Sequence, residues 1–343
     1  MRSYIEKGFS LDGVHSYRDI GVIIPSPPQI YYPAKEKRKE KLVGTNTMYD
    51  VSKLLSGVQP YSERRIKIQI NIIDHSNLTV EATQRIADTV YNWLYEPAGK
   101  RRIDLDIEPH YYFMGEVEDS NDFETDLLEV GYAEVFFVCY PFRIGRELVS
   151  DDVFRDFDLV NGIRQDTIVQ LPPIDQLQPF NALSVGDKFN IGGWSQKFYK
   201  GPVPTVFEQN QTWTVGSVIT TTDTGSAIYD NRAYATSENP EYKVRAQDVV
   251  QALRPVSFDL VNPGANNVVP YIGIRNVASP NYLWQGFTIE KNGIMYTFKT
   301  SDVNGKIMKE TQNKSFVLTP GVNKLKLYGS GLELDFRFRE ERL

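Results

Sequence analysis

Isoleucines at 66, 68, 70 and 72 alternate with Lys67, Gln69 and Asn71. A period of two lines one face of a strand with branched apolar side chains and leaves the other face polar. Ile103, Leu105 and Ile107 alternate in the same way with Asp104, Asp106 and Glu108, and Leu325 and Leu327, then Leu332, Leu334, Phe336 and Phe338, repeat the pattern near the C-terminus. Turn chemistry lies between these runs: Asn-Gly at 161–162 and 292–293, Pro320-Gly321 and Gly329-Ser330-Gly331. The pattern predicts a mainly β protein.

One segment breaks the period. From Thr79 to Tyr95 the apolar residues Ile86, Val90, Trp93 and Leu94 recur at helical spacing, Glu81 sits in the first turn where the helix dipole favours it, and Pro97 and Gly99 stop the run. A lone amphipathic helix among strands must bury its stripe on a sheet, which predicts an α+β first domain. Pro25-Ser26-Pro27-Pro28 leads into the charged run Lys35-Glu36-Lys37-Arg38-Lys39-Glu40-Lys41, read as a solvated loop or hairpin tip, and Leu171-Pro172-Pro173 through Pro179 reads as a domain linker. The pentapeptide Phe157-Asp158-Leu159-Val160-Asn161 recurs at Phe258–Asn262. The two copies flank a stretch unlike its surroundings, as an inserted module with a duplicated edge would leave them.

Composition narrows the function classes. A chain of 343 residues, 41% hydrophobic, suits two or three domains. The net charge of −6 argues against a dedicated nucleic-acid binder and against adhesion to an anionic membrane. No apolar run reaches the ~18 residues of a membrane helix, and Met1–Gly13 lacks the apolar core of a secretory signal. The single cysteine, Cys139, follows the apolar run Val135-Phe136-Phe137-Val138 and is expected to be a buried, inert thiol.

Catalytic chemistry is not evident. Asp104, Asp106 and Glu108 alternate along one strand, roughly 7 Å apart, a spacing that suits neither a convergent acid pair nor a tight metal shell. A solvent-facing acidic stripe, or one that meets a basic neighbouring subunit, is expected instead. His15, His75 and His110 lie far apart without a metal-binding spacing, and no nucleophile elbow or phosphate loop is present. The expectation is a non-enzyme with no catalytic residues, cofactor or metal. Aromatic residues, in contrast, crowd one short span: Trp194, Phe198, Tyr199, Trp213, Tyr229 and Tyr234. About half must serve a small core; the others are candidates for a platform on which a saccharide stacks, with Asp187, Gln196 and Asn231 offering hydrogen bonds. Trp284, in Leu283-Trp284-Gln285-Gly286-Phe287, is read as part of a half-buried strand.

The order of several short motifs resembles the distal tail protein family of siphophages. They begin with Phe9-Ser10-Leu11-Asp12-Gly13-Val14-His15-Ser16 and Asp19-Ile20-Gly21-Val22, then Met48-Tyr49-Asp50-Val51-Ser52 and Tyr61-Ser62-Glu63-Arg64-Arg65-Ile66. The helix ending at Asn92-Trp93-Leu94 follows, then Pro109-His110-Tyr111-Tyr112-Phe113 and Cys139-Tyr140-Pro141-Phe142. Toward the C-terminus, Asn262-Pro263-Gly264, Pro270-Tyr271-Ile272-Gly273-Ile274 and Leu318–Leu325 are similar to that family's galectin-like sandwich. The resemblance spans roughly 1–145 and 255–343. Between them, Leu183–Lys200 and the run from Trp213 to Val218 resemble the Src-homology-3-like barrels that end many cell-wall lysins, although Trp213 stands where tyrosine is usual.

The resemblance implies four segments. A ring-forming α+β domain covers 1–150, with its helix on a β-sandwich and a belt hairpin at about 25–60. A linker covers 151–182, a small β-barrel insert 183–250, and a C-terminal galectin-like β-sandwich 255–343. It further implies a homo-hexameric hub at the phage tail tip, assembled in the host cytoplasm. The hub would join the tail tube protein to the tail-associated lysin and receptor-binding proteins, contact no membrane, and meet nucleic acid only as it passes through the lumen. Lys35, Glu36, Lys37, Arg38, Lys39, Glu40 and Lys41 would form the arm between ring neighbours. The insert would bind a host cell-wall saccharide through its aromatic residues. The alternative is a stand-alone carbohydrate-binding protein with no ring role.

Overall fold

In the computed structural model the four isoleucines predicted to share a face are buried together. The structure describes residues 8–41, 47–54, 57–72, 79–118, 131–149, 167–172, 181–192, 208, 211–220, 232–276, 286–300 and 308–343. The protein is mainly β, and among these residues the buried apolar side chains form three separate clusters. The chain divides into two compact units: 1–147 with 264–266 and 339–343, and 148–263 with 267–338.

The first unit contains strands β1 (Phe9–Leu11), β2 (Val14–His15), β3 (Val22–Ile23), β4 (Gln29–Ile30), β5 (Lys39–Lys41), β6 (Met48–Asp50) and β7 (Arg64–Ile72). Helix α1 (Val80–Tyr95) and strands β8 (Arg101–Leu105), β9 (Tyr111–Val117), β10 (Tyr132–Cys139) and β11 (Arg143–Gly145) follow. The sheet runs β2-β1-β8-β9-β10-β7-β3, with β4 also on β7 and β11 on β9. Along β7 every second residue is buried, and β10 pairs with it antiparallel over its whole length, Val135 opposite Ile68 and Phe137 opposite Ile66. Phe9, Ile103, Leu105 and Phe113 complete this core, onto which α1 places Ala87, Val90 and Leu94.

Both ends of α1 are satisfied by side chains. The Thr79 hydroxyl accepts from the Ala82 amide at 3.2 Å, an N-cap that pairs one of the orphan donors of the first turn. At the other end the buried Arg101 guanidinium donates to the Trp93 and Leu94 carbonyls at 2.8 and 2.6 Å, where the negative end of the helix dipole favours a cation. The guanidinium thereby ties the helix C-terminus to β8.

The last residues of the chain belong to this unit as well. Glu341–Arg342 pairs antiparallel with β11, the Tyr111 hydroxyl donates to Glu340 and the Tyr140 hydroxyl to Glu341, each at 2.9 Å. The expected sandwich boundary of 255–343 is corrected accordingly: 264–266 and 339–343 cluster with the first unit because their main chain and carboxylates are partnered there.

The second unit holds β12 (Ile168–Gln170), β13 (Lys188–Asn190), β14 (Thr212–Thr220), β15 (Arg232–Thr236), β16 (Lys243–Arg245), β17 (Val256–Asn262) and β18 (Tyr271–Asn276). It continues with β19 (Gly286–Lys291), β20 (Ile294–Lys299), β21 (Glu310–Thr311), β22 (Gly321–Tyr328) and β23 (Leu332–Arg337). Sheets β12-β23-β18-β21 and β17-β22-β19-β20 share one core, with Leu260, Ile272, Phe287, Ile289, Leu325, Leu334 and Phe336 buried in it. Asn292 and Gly293, both at positive φ, make the tight turn between β19 and β20 that the Asn-Gly pair predicts. The expected linker 151–182 is not all linker: β12 pairs with β23 and Leu171 is buried in the sandwich core. The first copy of the repeated pentapeptide lies outside the described residues; the second is most of β17.

Strands β13-β14-β15-β16 form a further sheet with its own core of Phe189, Ile191, Trp213, Val215, Tyr234, Val244 and Val249. A bridge between Ile191 and Val249 joins the residues beyond β13 to those beyond β16, so the small sheet closes on itself as a barrel does.

Replacing Arg101 by methionine should destabilise the first unit by about 1.5–3 kcal/mol in denaturant unfolding, because two helix-terminal carbonyls lose a charged donor. Cys139 is fully buried, and burial pushes its thiol up to about 12. Iodoacetamide at pH 8 should therefore leave it unmodified in the native protein and label it fully in denaturant, as mass spectrometry would read.

Candidate functional site

The charged run Lys35–Lys41 lies on a β-ribbon. Among the described residues strand β5 pairs only with β6, setting Lys39 opposite Asp50, Glu40 opposite Tyr49 and Lys41 opposite Met48, and every residue of both strands is exposed. The ribbon's root is a short ladder: Lys35 bridges Tyr61, the Glu36 amide donates to the Pro60 carbonyl at 3.0 Å, and the Ser62 amide donates to the Ala34 carbonyl at 2.9 Å. The ribbon is shorter than the expected hairpin of 25–60, because β4 is already paired to β7 in the main sheet.

Two-stranded ribbons without a core are marginal in water by themselves. Local polar bonds help to shape this one. The Arg38 amide donates to the Ser52 hydroxyl at 2.7 Å, and the Ser52 hydroxyl and amide both donate to Asp50, holding its carboxyl below the usual carboxylate range. Arg38 and Glu40 pair at 2.7 Å in full contact with water, where an ion pair contributes little. With five basic and two acidic residues, the run 35–41 carries a net +3 in a chain of net −6.

Sequence reasoning took the charges as the arm's content and missed its apolar surface. Met48 is 57% exposed and Tyr49 close to half exposed on β6, and Leu54, just beyond it, is 79% exposed. The signal available was a strand, β6, whose three residues include Met48 and Tyr49. Apolar side chains gathered on a ribbon that cannot bury them mark an interaction surface.

The aromatic candidates of the small barrel divide differently from the expectation. Trp213 and Tyr234 are 4% and 0% exposed and belong to the core, so neither can be a stacking platform. The indole N–H of Trp213 donates to the Glu208 carbonyl at 3.1 Å, and the Tyr234 hydroxyl accepts from the Leu183 amide. Strands β14 and β15, which carry these two rings, enclose an interior so small that the rings supply much of its buried area. Trp194, Phe198, Tyr199 and Tyr229, with Gln196, Asn231 and Trp284, lie outside the described residues. Asp187 accepts from the Ser184 amide at 2.7 Å and serves its own turn.

The expected acidic stripe is partnered within the first unit. Asp104 is held in a two-bond fork by Arg102 and also pairs with Arg146 at 2.9 Å; Asp106 pairs with His15 at 3.2 Å; Glu108 pairs with Arg143 at 3.2 Å. The partners come from β2, β8, β11 and the residue after β11, which no local spacing reveals. His15 holds structure together, because its Nδ1 accepts from the Tyr17 and Arg18 amides, which leaves Nε2 to donate to Asp106. Among the described residues no group of three or more His, Cys, Asp or Glu is placed to hold a metal ion, and no helix is long and apolar enough to cross a membrane.

No protein-family model matches the chain, and no curated protein matches it by sequence. Among solved structures it is similar to the crystal structure of the phage SPP1 Dit protein, described as a paradigm of the hub adsorption apparatus in phages that infect Gram-positive bacteria. The identity is 10% and the TM-score 0.45, with 98% of this chain and 99% of that chain covered.

Truncating Trp213 to alanine should lower stability by about 3–5 kcal/mol in denaturant unfolding, the cost of a cavity in a core this small. A variant that unfolds like the wild type would return the ring to the surface.

Proposed function

We propose that this chain is a structural, non-catalytic protein of a phage tail tip, a distal tail protein whose copies close into a hexameric ring. The observation that carries the reading is the ribbon of β5 and β6: solvent-exposed on both strands, net positive in an acidic chain, and bearing Met48 and Tyr49 uncovered, with Leu54 exposed just beyond β6. A second copy supplies what such a ribbon lacks, namely carboxylates for its lysines and apolar surface for its rings. When each copy's arm lies on the next copy, the contact is head-to-tail, and repetition of one rotation closes a ring. The order of the motifs that resemble siphophage distal tail proteins points the same way and supplies the partners: the tail tube protein on one side, the tail-associated lysin and receptor-binding proteins on the other. The virion is then the working location.

The small barrel of residues 183–250 is proposed as a separate module for the host cell wall. Its support is the resemblance to lysin-terminal barrels, and Trp194, Phe198, Tyr199 and Tyr229 remain its candidate contacts. Several weak sites on one ring act together through effective concentration.

Light scattering on the purified protein should give the mass of six chains. Lys35 and Tyr61 face one another across a bridge, so residues 36–60 can be replaced by a short glycine-serine linker without straining β7. That variant should lose the ring yet keep the unfolding transition of the first unit, and moderate salt should loosen the wild-type ring by screening its ion pairs. A monomeric wild type overturns the reading; an unchanged oligomer after the excision moves the contacts away from the arm.

A further inference from the structure

Four lysines of the arm, Lys35, Lys37, Lys39 and Lys41, occupy alternate positions. Extended backbone turns alternate side chains to one face, so their ammonium groups form a row about 20 Å long. The Val51 amide donates to the Arg38 carbonyl at 2.9 Å, which carries the ladder from Lys35 towards β5. Met48, opposite Lys41 in register, shares the lysine face; Asp50, opposite Lys39, shares it too, but its carboxyl is taken by Ser52. Among the described residues none of the four lysines forms an ion pair.

Helix α1 offers a row of opposite sign. Glu81, Asp88 and Glu96 are exposed on its solvent side, and none of them forms an ion pair among the described residues. Seven residues, nearly two whole turns, separate Glu81 from Asp88, and Glu96 lies within a quarter-turn of both. The three carboxylates therefore form a row about 22 Å long. Arg85 is the one base between Val80 and Glu96. Tyr91 and Tyr95 flank the row with their rings stacked at 5.0 Å, and Val80 is 81% exposed at its start. Several other carboxylates of this unit are already engaged. Glu63 pairs with Lys100 at 2.9 Å, Glu118 with Arg65 at 2.6 Å and Glu134 with Lys67 at 2.7 Å.

We infer that the lysine row of one copy's arm docks on the solvent face of α1 in the next copy. Both rows are exposed in the single chain, so they do not meet within it and the pairing is between copies. The rows agree in length, about 20 Å against about 22 Å, and are opposite in sign. Exposed charge pairs add little affinity, but they select the partner and fix the register. Burial comes from Met48, whose thioether packs favourably against aromatic rings such as the Tyr91-Tyr95 pair. With Met48 at the tyrosines, Lys41 stands by Glu96 and Lys35 by Glu81. The pairing presupposes the ring proposed above and names the surface on which each arm rests. Each copy uses one arm and one helix, which makes the contact head-to-tail.

The test joins crosslinking to charge reversal, both on the full chain. A zero-length carbodiimide should form amide bonds between the arm lysines and Glu81, Asp88 or Glu96. Peptide mass spectrometry should find these bonds in the dimer and higher bands of a denaturing gel and not in the monomer band. Glu81→Lys, Asp88→Lys and Glu96→Lys together should lower the light-scattering mass from six chains to one. Adding Lys37→Glu, Lys39→Glu and Lys41→Glu to that variant should restore six, the compensation that only a direct pairing gives. If the helix variant fails to fold, the wild-type crosslinks decide alone. A monomeric wild type overturns the ring and this pairing with it. Three results leave the ring standing and overturn the pairing alone: a ring without arm-to-helix crosslinks, a ring whose mass survives the helix reversal, or a reversal that the arm does not rescue. Crosslinks from the arm to the acidic run Asp119–Glu129 in place of α1 count against it in the same way.

Discussion

Burial of the isoleucine face of β7 is the interaction on which the first unit depends. That strand pairs with β10 along its full length, receives α1 over its apolar face, and lends its other edge to β3 and β4. Each fully buried isoleucine contributes on the order of 1.5–3 kcal/mol, and the four act through one continuous cluster. Because β7 is rigidly held, the segment that precedes it can leave the sheet as a ribbon without loosening the core.

The polar chemistry of the unit serves the same end. Arg101 closes the carbonyl end of α1, His15 closes the turn after β2, and the carboxylates of Asp104, Asp106 and Glu108 are partnered by side chains from four parts of the fold. The half-buried Asp104 with two arginines is a small network, and such networks orient chain segments more than they add stability. The arm, in contrast, keeps its net positive charge in full contact with water, where a partner can use it.

The second unit shows two ways of treating large rings. In the small barrel Trp213 and Tyr234 are drawn inward, because a four-stranded sheet closed over so few side chains has little other apolar volume to exclude water. In the sandwich, Phe258, Phe287, Phe298, Phe316 and Phe336 pack against one another inside, with Phe287 and Phe298 stacked at 4.8 Å.

Local pattern alone determined a good part of this protein. The alternation at 66–72, 103–105 and 332–336, the helix from Thr79 to Tyr95 and the Asn292-Gly293 turn depend on intrinsic geometry, so each was legible in a few neighbouring residues. Cys139 was legible as inert for the same reason, lying within an apolar strand. What the tertiary structure decided concerns partners distant in sequence. Trp213 and Tyr234 have the composition of a binding platform and the position of a core. Asp104 and its neighbours look like a solvent stripe until Arg102, Arg143, Arg146 and His15 converge on them. The C-terminal residues pair with β11, almost two hundred positions earlier. Hydrogen-bond register and burial are properties of strands brought side by side, and a linear pattern records which face a residue occupies but not what stands across from it.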